Sequence, residues 1–263
     1  MVNELTYVYC ISDSPLPVHS ISDQKDLECL KFGTFYGYVK KVSPDEFSEE
    51  NLNKNFNNLP WIERHARNHI RIIGEIMKSS IVIPFKFGTV FNSEESLGNF
   101  IQKYTSSLNE NLKNIKGKEE WSVKIYCNYT VLNEEIMELS EDVRNLEQEI
   151  SKSKPGKSFL LKRKKVELIE KEVAKVVQLS GQICYEEVKR FSELTQVNSL
   201  LSAEHSDRKD SMILNISCFV NQVSVTEFID AIGELQKKYK KIGFDISTAG
   251  PWPPFSFTSI KEK

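Results

Sequence analysis

The chain has 263 residues, 40% of them hydrophobic and 27% charged, the proportions of folded protein and not of a disordered chain. Thirty-five Lys and Arg against 37 Asp and Glu leave a formal charge of −2, so no general basic field points to a nucleic-acid partner. No run approaches the ~20 apolar residues that cross a bilayer, and the first residues lack the basic and apolar regions of a signal peptide. A cytoplasmic protein with no membrane partner is expected.

Residues 5–11 are rich in β-branched and aromatic side chains and predict a strand, followed by a turn-rich stretch over 12–24 with Pro15 and Pro17. Residues 27–32 and 34–42 read as strands separated by Gly33, and Ser43-Pro44-Asp45-Glu46 as a helix start. The Asn-rich run 51–58 reads as a loop. From Pro60 to Lys78, Ile62, Ala66, His69, Ile70, Ile73 and Met77 recur at helical spacing. The apolar run 81–87 predicts a buried strand. Ser93 caps a helix carrying Leu97, Ile101, Tyr104, Leu108, Leu112 and Ile115, which Gly117 ends. Over 119–128, Trp121, Val123, Ile125 and Cys127 alternate onto one face of a strand.

The middle third changes period. Leu132, Ile136, Leu139, Val143, Leu146 and Ile150 follow a 4-3 heptad seam. Pro155-Gly156 breaks it, and Ser158 is the expected N-cap of the next helix. A second seam runs Val166, Ile169, Val173, Val176, Ser180, Ile183, then slips to Val188, Phe191 and Leu194, with a bend expected near Gly181. Residues 130–151 hold seven acids and one base, and residues 152–175 nine bases and three acids, net −6 and +6. A short turn between them predicts an antiparallel hairpin, with residues 162–165 (Lys162, Arg163, Lys164, Lys165) beside Glu141, Asp142, Glu147 and Glu149. After Ser206-Asp207 come a strand at 211–220, a helix at 225–239, a strand at 243–247 and a proline-rich tail.

Signals for chemistry are sparse. Cys10, Cys29, Cys127, Cys184 and Cys218 form no CxxC or CxxH pair, which argues against a disulfide framework or a thiolate zinc site. His65 and His69 stand four apart on one helix, a spacing that can bind metal, but Ala66 occupies the place of a zincin's glutamate. Packing of Trp61 and one histidine against the sheet accounts for the pattern. His19 and His205 lie near a loop and a helix end. Residues 155–158 end like a phosphate loop, yet Ser151 replaces the required glycine and a helix precedes it. The basic run 162–165 has an acidic partner helix and no interleaved aromatics for stacking bases. In the tail, Trp252, Pro253, Pro254 and Phe255 form a stiff aromatic segment suited either to plugging the end of the C-terminal sheet or to a partner surface.

Three segments together carry a resemblance. Residues 83–91 (Ile83, Pro84, Phe85, Lys86, Phe87, Gly88, Thr89, Val90, Phe91), residues 117–121 ending in Trp121, and residues 250–257 (Gly250, Pro251, Trp252, Pro253, Pro254, Phe255, Ser256, Phe257) resemble the hallmarks of the gas vesicle protein F/L family. Their order, their spacing and the helix bearing His65 ahead of the first segment also match, over nearly the whole chain. Residues 120–127 followed by a long helical hairpin resemble the L branch more than the F branch. The resemblance implies an α+β protein of two domains: an N-terminal modified ferredoxin-like α/β domain, placed at 1–118, and a C-terminal α+β domain at 119–263 with an antiparallel coiled-coil hairpin at about 130–205. It marks His65, Pro84, Phe87, Gly88, Trp121, Gly250 and Pro251 as structural motif residues. It also implies an accessory role in gas vesicle assembly, in the cytoplasm and at the vesicle, through the small hydrophobic shell protein and other accessory proteins. No catalytic residues and no cofactor come with it. Expected contacts are Trp252, Pro253, Pro254 and Phe255 and the outward positions of the hairpin, on a monomer. The alternative is a metal- or thiol-dependent enzyme on a ferredoxin-like scaffold, using His65 and His69.

Overall fold

Tyr7 to Ser12 are buried without interruption, which makes β1 (Leu5–Ser12) the centre of the first sheet and not a half-exposed strand. The computed structural model describes residues 4–17, 21, 26–201 and 208–261; His19, His205 and Ser206-Asp207 lie outside these, as does the side chain of Leu139. β1 pairs antiparallel with β3 (Phe35–Val42), β4 (Val82–Pro84) and the short β5 (Val90–Phe91), and β2 (Leu27–Phe32) pairs antiparallel with β3. The order is therefore β2-β3-β1-β4. A register shift between Val8 and Cys10 bends β1 where it passes from one partner set to the other.

The helices of this unit are α1 (Pro44–Phe47), α2 (Glu49–Asn55), α3 (Leu59–Met77), α4 (Glu94–Lys103) and α5 (Thr105–Ile115). Asn58 opens α3 by accepting from the Trp61 amide, with Pro60 in the first turn where its missing N–H costs nothing. The helix then buries Trp61, His69, Ile72, Ile73 and Ile76 against β1 and β4. Each fully buried isoleucine contributes about 1.5–3 kcal/mol, enough to order the helix against the sheet.

Three expectations are corrected here. Residues 49–55 are helical and not loop, because the Asn51 and Asn55 amides donate to the carbonyls of Pro44 and Glu46 and Leu52 is buried: tertiary contacts override the low helix propensity of Asn. The apolar run 81–87 forms a strand only over Val82–Pro84, with one further bond to β1 from the Phe85 amide to the Tyr9 carbonyl at 2.9 Å. The helix expected over 93–115 is two helices, parted at Tyr104 with φ −102° and ψ 14°.

The chain forms two compact units, residues 1–120 with 251–263, and residues 121–250. The second contains β6 (Lys118–Cys127) from Trp121 onward, α6 (Tyr129–Leu139), α7 (Glu141–Lys152), α8 (Pro155–Arg190), β7 (Leu194–Val197), β8 (Ser211–Asn221), α9 (Val225–Lys240) and β9 (Phe244–Trp252) up to Gly250. Its sheet runs β7-β8-β6-β9. Counted within each unit, both sheets follow one order, second, third, first, fourth strand. Trp121, Val123, Ile125 and Cys127 all enter the core of this sheet, with Cys218, Phe228 and Ile232. Cys10, Cys127, Cys184 and Cys218 are buried and in no disulfide, and the burial raises the pKa of Cys10, Cys127 and Cys184.

The heptad reading of the middle third needs several changes. Its first helix breaks at Ser140, whose φ of −115° and ψ of 118° are extended and whose hydroxyl accepts from the Val143 amide. α8 starts at Pro155 with Lys154 as N-cap, and Ser158 lies inside the helix. It is unbroken through Gly181. Its buried line is Val173, Ser180, Cys184 and Val188, while Val166 is 57% exposed and Ile183 49% exposed. Leu194 belongs to β7 and is exposed, so the helical segment ends at Arg190, short of 205. α7 and α8 run antiparallel, with Lys157 Nζ 2.9 Å from Glu149 Oε1 and Lys165 Nζ 2.5 Å from Glu147 Oε2.

The tail corrects the expected boundary at the C-terminus. β9 is longer than the predicted 243–247, and residues 251–263 belong to the first unit, not to a domain ending at 263.

Candidate functional site

The histidines of α3 stand over a cluster of titratable and aromatic groups beside a cleft in the first unit. Trp61, His65 and His69 follow at four-residue steps and so share a face. That face meets Tyr7 and Tyr9 of β1, Phe47 of α1 and Phe87 of the loop after β4. The cleft beside them, about 270 Å³, is lined by these aromatics together with Lys40, Lys41, Glu46 and Asn68.

His69, 1% exposed, has both ring nitrogens engaged. Nε2 lies 2.9 Å from the Phe85 carbonyl, which only accepts, so Nε2 carries the proton. Nδ1 accepts from the Tyr7 hydroxyl at 2.8 Å. The Tyr7 oxygen in turn accepts from the Gly88 amide at 3.4 Å. Burial lowers the His69 pKa to about 4, against the small opposing effect of the Phe85 carbonyl, so the ring is neutral near pH 7. Burial raises the Tyr7 pKa and carries that of Tyr9 to about 12.

His65 stacks on Trp61 with ring centroids 4.3 Å apart. The Trp61 Nε1–H donates to Glu46 Oε1 at 2.6 Å, and the same oxygen lies 3.4 Å from His65 Nε2. Arg64, a donor only, is 3.1 Å from that nitrogen. The His65 pKa is lowered, first by burial and then by Arg64 and Lys40, with Glu46 opposing. Among the described residues, no three His, Cys, Asp or Glu side chains are placed to hold a metal ion. The i, i+4 pair is thus divided: His69 is a hydrogen-bonded core residue and His65 a stacking partner.

The remaining motif residues surround this cluster or the second core. Pro84 sits opposite Cys10 in the β1–β4 pair. Gly88 has φ +83°, which favours glycine, and a Cβ there would lie 2.7 Å from Phe56 Cζ and push the tip of that ring aside. Trp121 packs against Phe228 in the second unit. Gly250 and Pro251 are exposed in β9.

The tail residues do not form one surface. Pro253 and Pro254 are buried, and Phe255 packs on the core of the first unit, 6.4 Å from the His69 ring and nearly parallel to it. Trp252, 38% exposed, is the most open of the four. The expectation that Trp252 and Phe255 plug the C-terminal sheet fails for Phe255, which the first unit holds. Glu120, buried, accepts from the Ser256 amide at 2.9 Å and from its hydroxyl at 2.6 Å. Asn111 donates to the Ser259 carbonyl at 2.9 Å and accepts from the Ser259 amide at 3.1 Å. Tyr7, Glu46, Asn111 and Glu120 were not singled out from sequence. Their partners lie 15 to 148 residues away, and no local spacing encodes such contacts.

The comparisons with known proteins fit this arrangement. The family model described as "Gas vesicle synthesis protein GvpL/GvpF" matches residues 5–259. A gas vesicle protein L of Streptomyces sp. (strain CB03234) is 21% identical over 99% of this chain and 95% of its own length. Gas vesicle protein L1 of Halobacterium salinarum is 23% identical over 66% of this chain and 63% of its own. The crystal structure of GvpF from Anabaena sp. PCC7120 superposes with a TM-score of 0.71 at 17% identity, covering 98% of this chain and 99% of that one. GvpF from Microcystis aeruginosa gives 0.66, also at 17% identity, over 98% and 100%.

Proposed function

We propose that this chain, which belongs to the gas vesicle synthesis protein GvpL/GvpF family, is an accessory protein that assists vesicle assembly by binding the small hydrophobic shell protein and other accessory proteins. The observation that carries the reading is the family match from residue 5 to 259, which spans both units. The site chemistry supports it. A histidine with both nitrogens bonded and its pKa held near 4 is a poor general base at neutral pH, and it offers no lone pair to a metal. The metal-enzyme alternative through His65 and His69 therefore has little to stand on.

On this reading the first unit is a modified ferredoxin-like domain, and α6 to α8 form a coiled-coil arm on an α+β second domain. The protein works in the cytoplasm and at the vesicle, as a monomer until it meets its partners. Binding shields apolar shell surface that would otherwise aggregate. Trp252 is the tail residue best placed for contact, and the outward side chains of α7 and α8 supply more.

Co-expression with the shell subunit, followed by affinity capture of this chain, tests the proposal. Recovery of the shell subunit with the intact chain is the expected result. Failure to recover it with the intact chain would overturn the proposal, and undiminished recovery with a Trp252→Ala variant would overturn the tail contact.

A further inference from the structure

Phe159 is 73% exposed and Val166 57% exposed, although they stand seven residues apart on one helix, about 10 Å along the axis of α8. The next two residues at that interval, Val173 and Ser180, are buried. One line along α8 is thus covered toward the sheet and uncovered toward the turn at residues 153–154. The neighbouring helix does not account for it. α7 is tied to another side of α8, through Lys165 to Glu147 and Lys157 to Glu149.

Charge distinguishes the covering partner. Lys162 and Arg163 lie between Phe159 and Val166 and flank that line on either side. Both are exposed. Lys162 makes no ion pair among the described residues, and Arg163 has only Glu167 of its own helix, at 3.9 Å. An apolar line flanked by unspent positive charge has the form of one side of a heteromeric helix pair.

We infer that the Phe159–Val166 face of α8 docks an amphipathic helix of a partner protein, one with an apolar stripe and acidic flanks. A second copy of this chain is a poor occupant, because stripe-on-stripe contact about a two-fold axis sets Lys162 and Arg163 against their own equivalents. An anionic bilayer is also less suited. A helix crossing α8 covers residues 159–166 alone, whereas a lipid plane along that face also meets Glu167 and Glu170, both exposed. The inference stands apart from Trp252 and does not depend on shell binding.

The test uses the full chain and a synthetic helix of about four heptads with Leu in the seam and Glu on the flanks, its affinity read by fluorescence anisotropy. The control peptide has Lys for Glu. The acidic peptide binds, the control does not, and added salt weakens binding. Phe159→Ser with Val166→Ser, and separately Lys162→Glu with Arg163→Glu, each weaken it at least about tenfold with helical circular dichroism unchanged. The charge-reversed variant gains affinity for the Lys-flanked control. Equal binding by wild type and both variants overturns the inference, as does no binding at all. Binding only to phosphatidylglycerol vesicles, or a homodimer in sedimentation that Phe159→Ser dissociates, also overturns it, in favour of lipid or of a second copy.

Discussion

Tyr7 and His69, 62 residues apart, share a hydrogen bond of 2.8 Å that joins the central strand of the first sheet to its longest helix. With Phe85 on the other ring nitrogen, this bond fixes the tautomer of His69 and engages both of its nitrogens. The bond has consequences that stability measurements reach directly.

Tyr7→Phe strips the hydroxyl that serves both His69 and the Gly88 amide, leaving a buried nitrogen without its donor. Urea unfolding should show a loss of about 1–3 kcal/mol, and His69→Ala in the Tyr7→Phe background should cost less than it does alone.

Acid should destabilise the fold through His69. Its folded pKa, about 4, lies below the unfolded value of 6.5. Between these values the unfolded chain binds the proton and the folded chain does not, so stability falls as pH drops from 6.5 and levels off near 4. The loss is at most about 3–4 kcal/mol. The difference between unfolding curves of the wild type and His69→Gln, measured across that window, isolates it from the carboxylates.

Gly88→Ala combines a positive φ with a Cβ set 2.7 Å from Phe56 Cζ. A loss of about 1–3 kcal/mol in thermal or urea unfolding is expected. Adding Phe56→Ala should recover the steric part and leave the backbone part.

The tail is held by the Glu120 carboxylate on Ser256. Glu120→Ala should raise hydrogen exchange at Ser256 and neighbouring amides by an order of magnitude or more. Ser256→Ala, which keeps the amide bond, should have the smaller effect.

In the helical arm, packing should outweigh charge. Leu146 is buried, and Leu146→Ala should cost about 2–4 kcal/mol. Glu147→Gln removes only the partly exposed pair with Lys165 and should cost less than about 1 kcal/mol, vanishing at high salt.

Much of the element order was legible because period and punctuation are local. The alternation of Trp121, Val123, Ile125 and Cys127, the Pro in the first turn of α3, and the Ser93 cap each act within a few residues. What was misread depends on distant partners. Asn51 and Asn55 are helical because of Pro44 and Glu46, which they reach only in the folded chain. The seam reading erred at Val166 and Ile183, since heptad spacing alone does not say which stretch of a long helix has a neighbour. The tail was read as one unit because its prolines and aromatics are contiguous. Its division into buried Pro253 and Pro254, packed Phe255 and open Trp252 follows from Glu120 and Asn111, far back in sequence.

The claim that this chain acts by shielding apolar shell surface is tested most directly by light scattering, as purified shell subunit is diluted from denaturant into buffer with and without it. The account predicts that scattering falls in proportion to added chain and is abolished near a fixed stoichiometric ratio. Scattering that is unchanged at any ratio would contradict it.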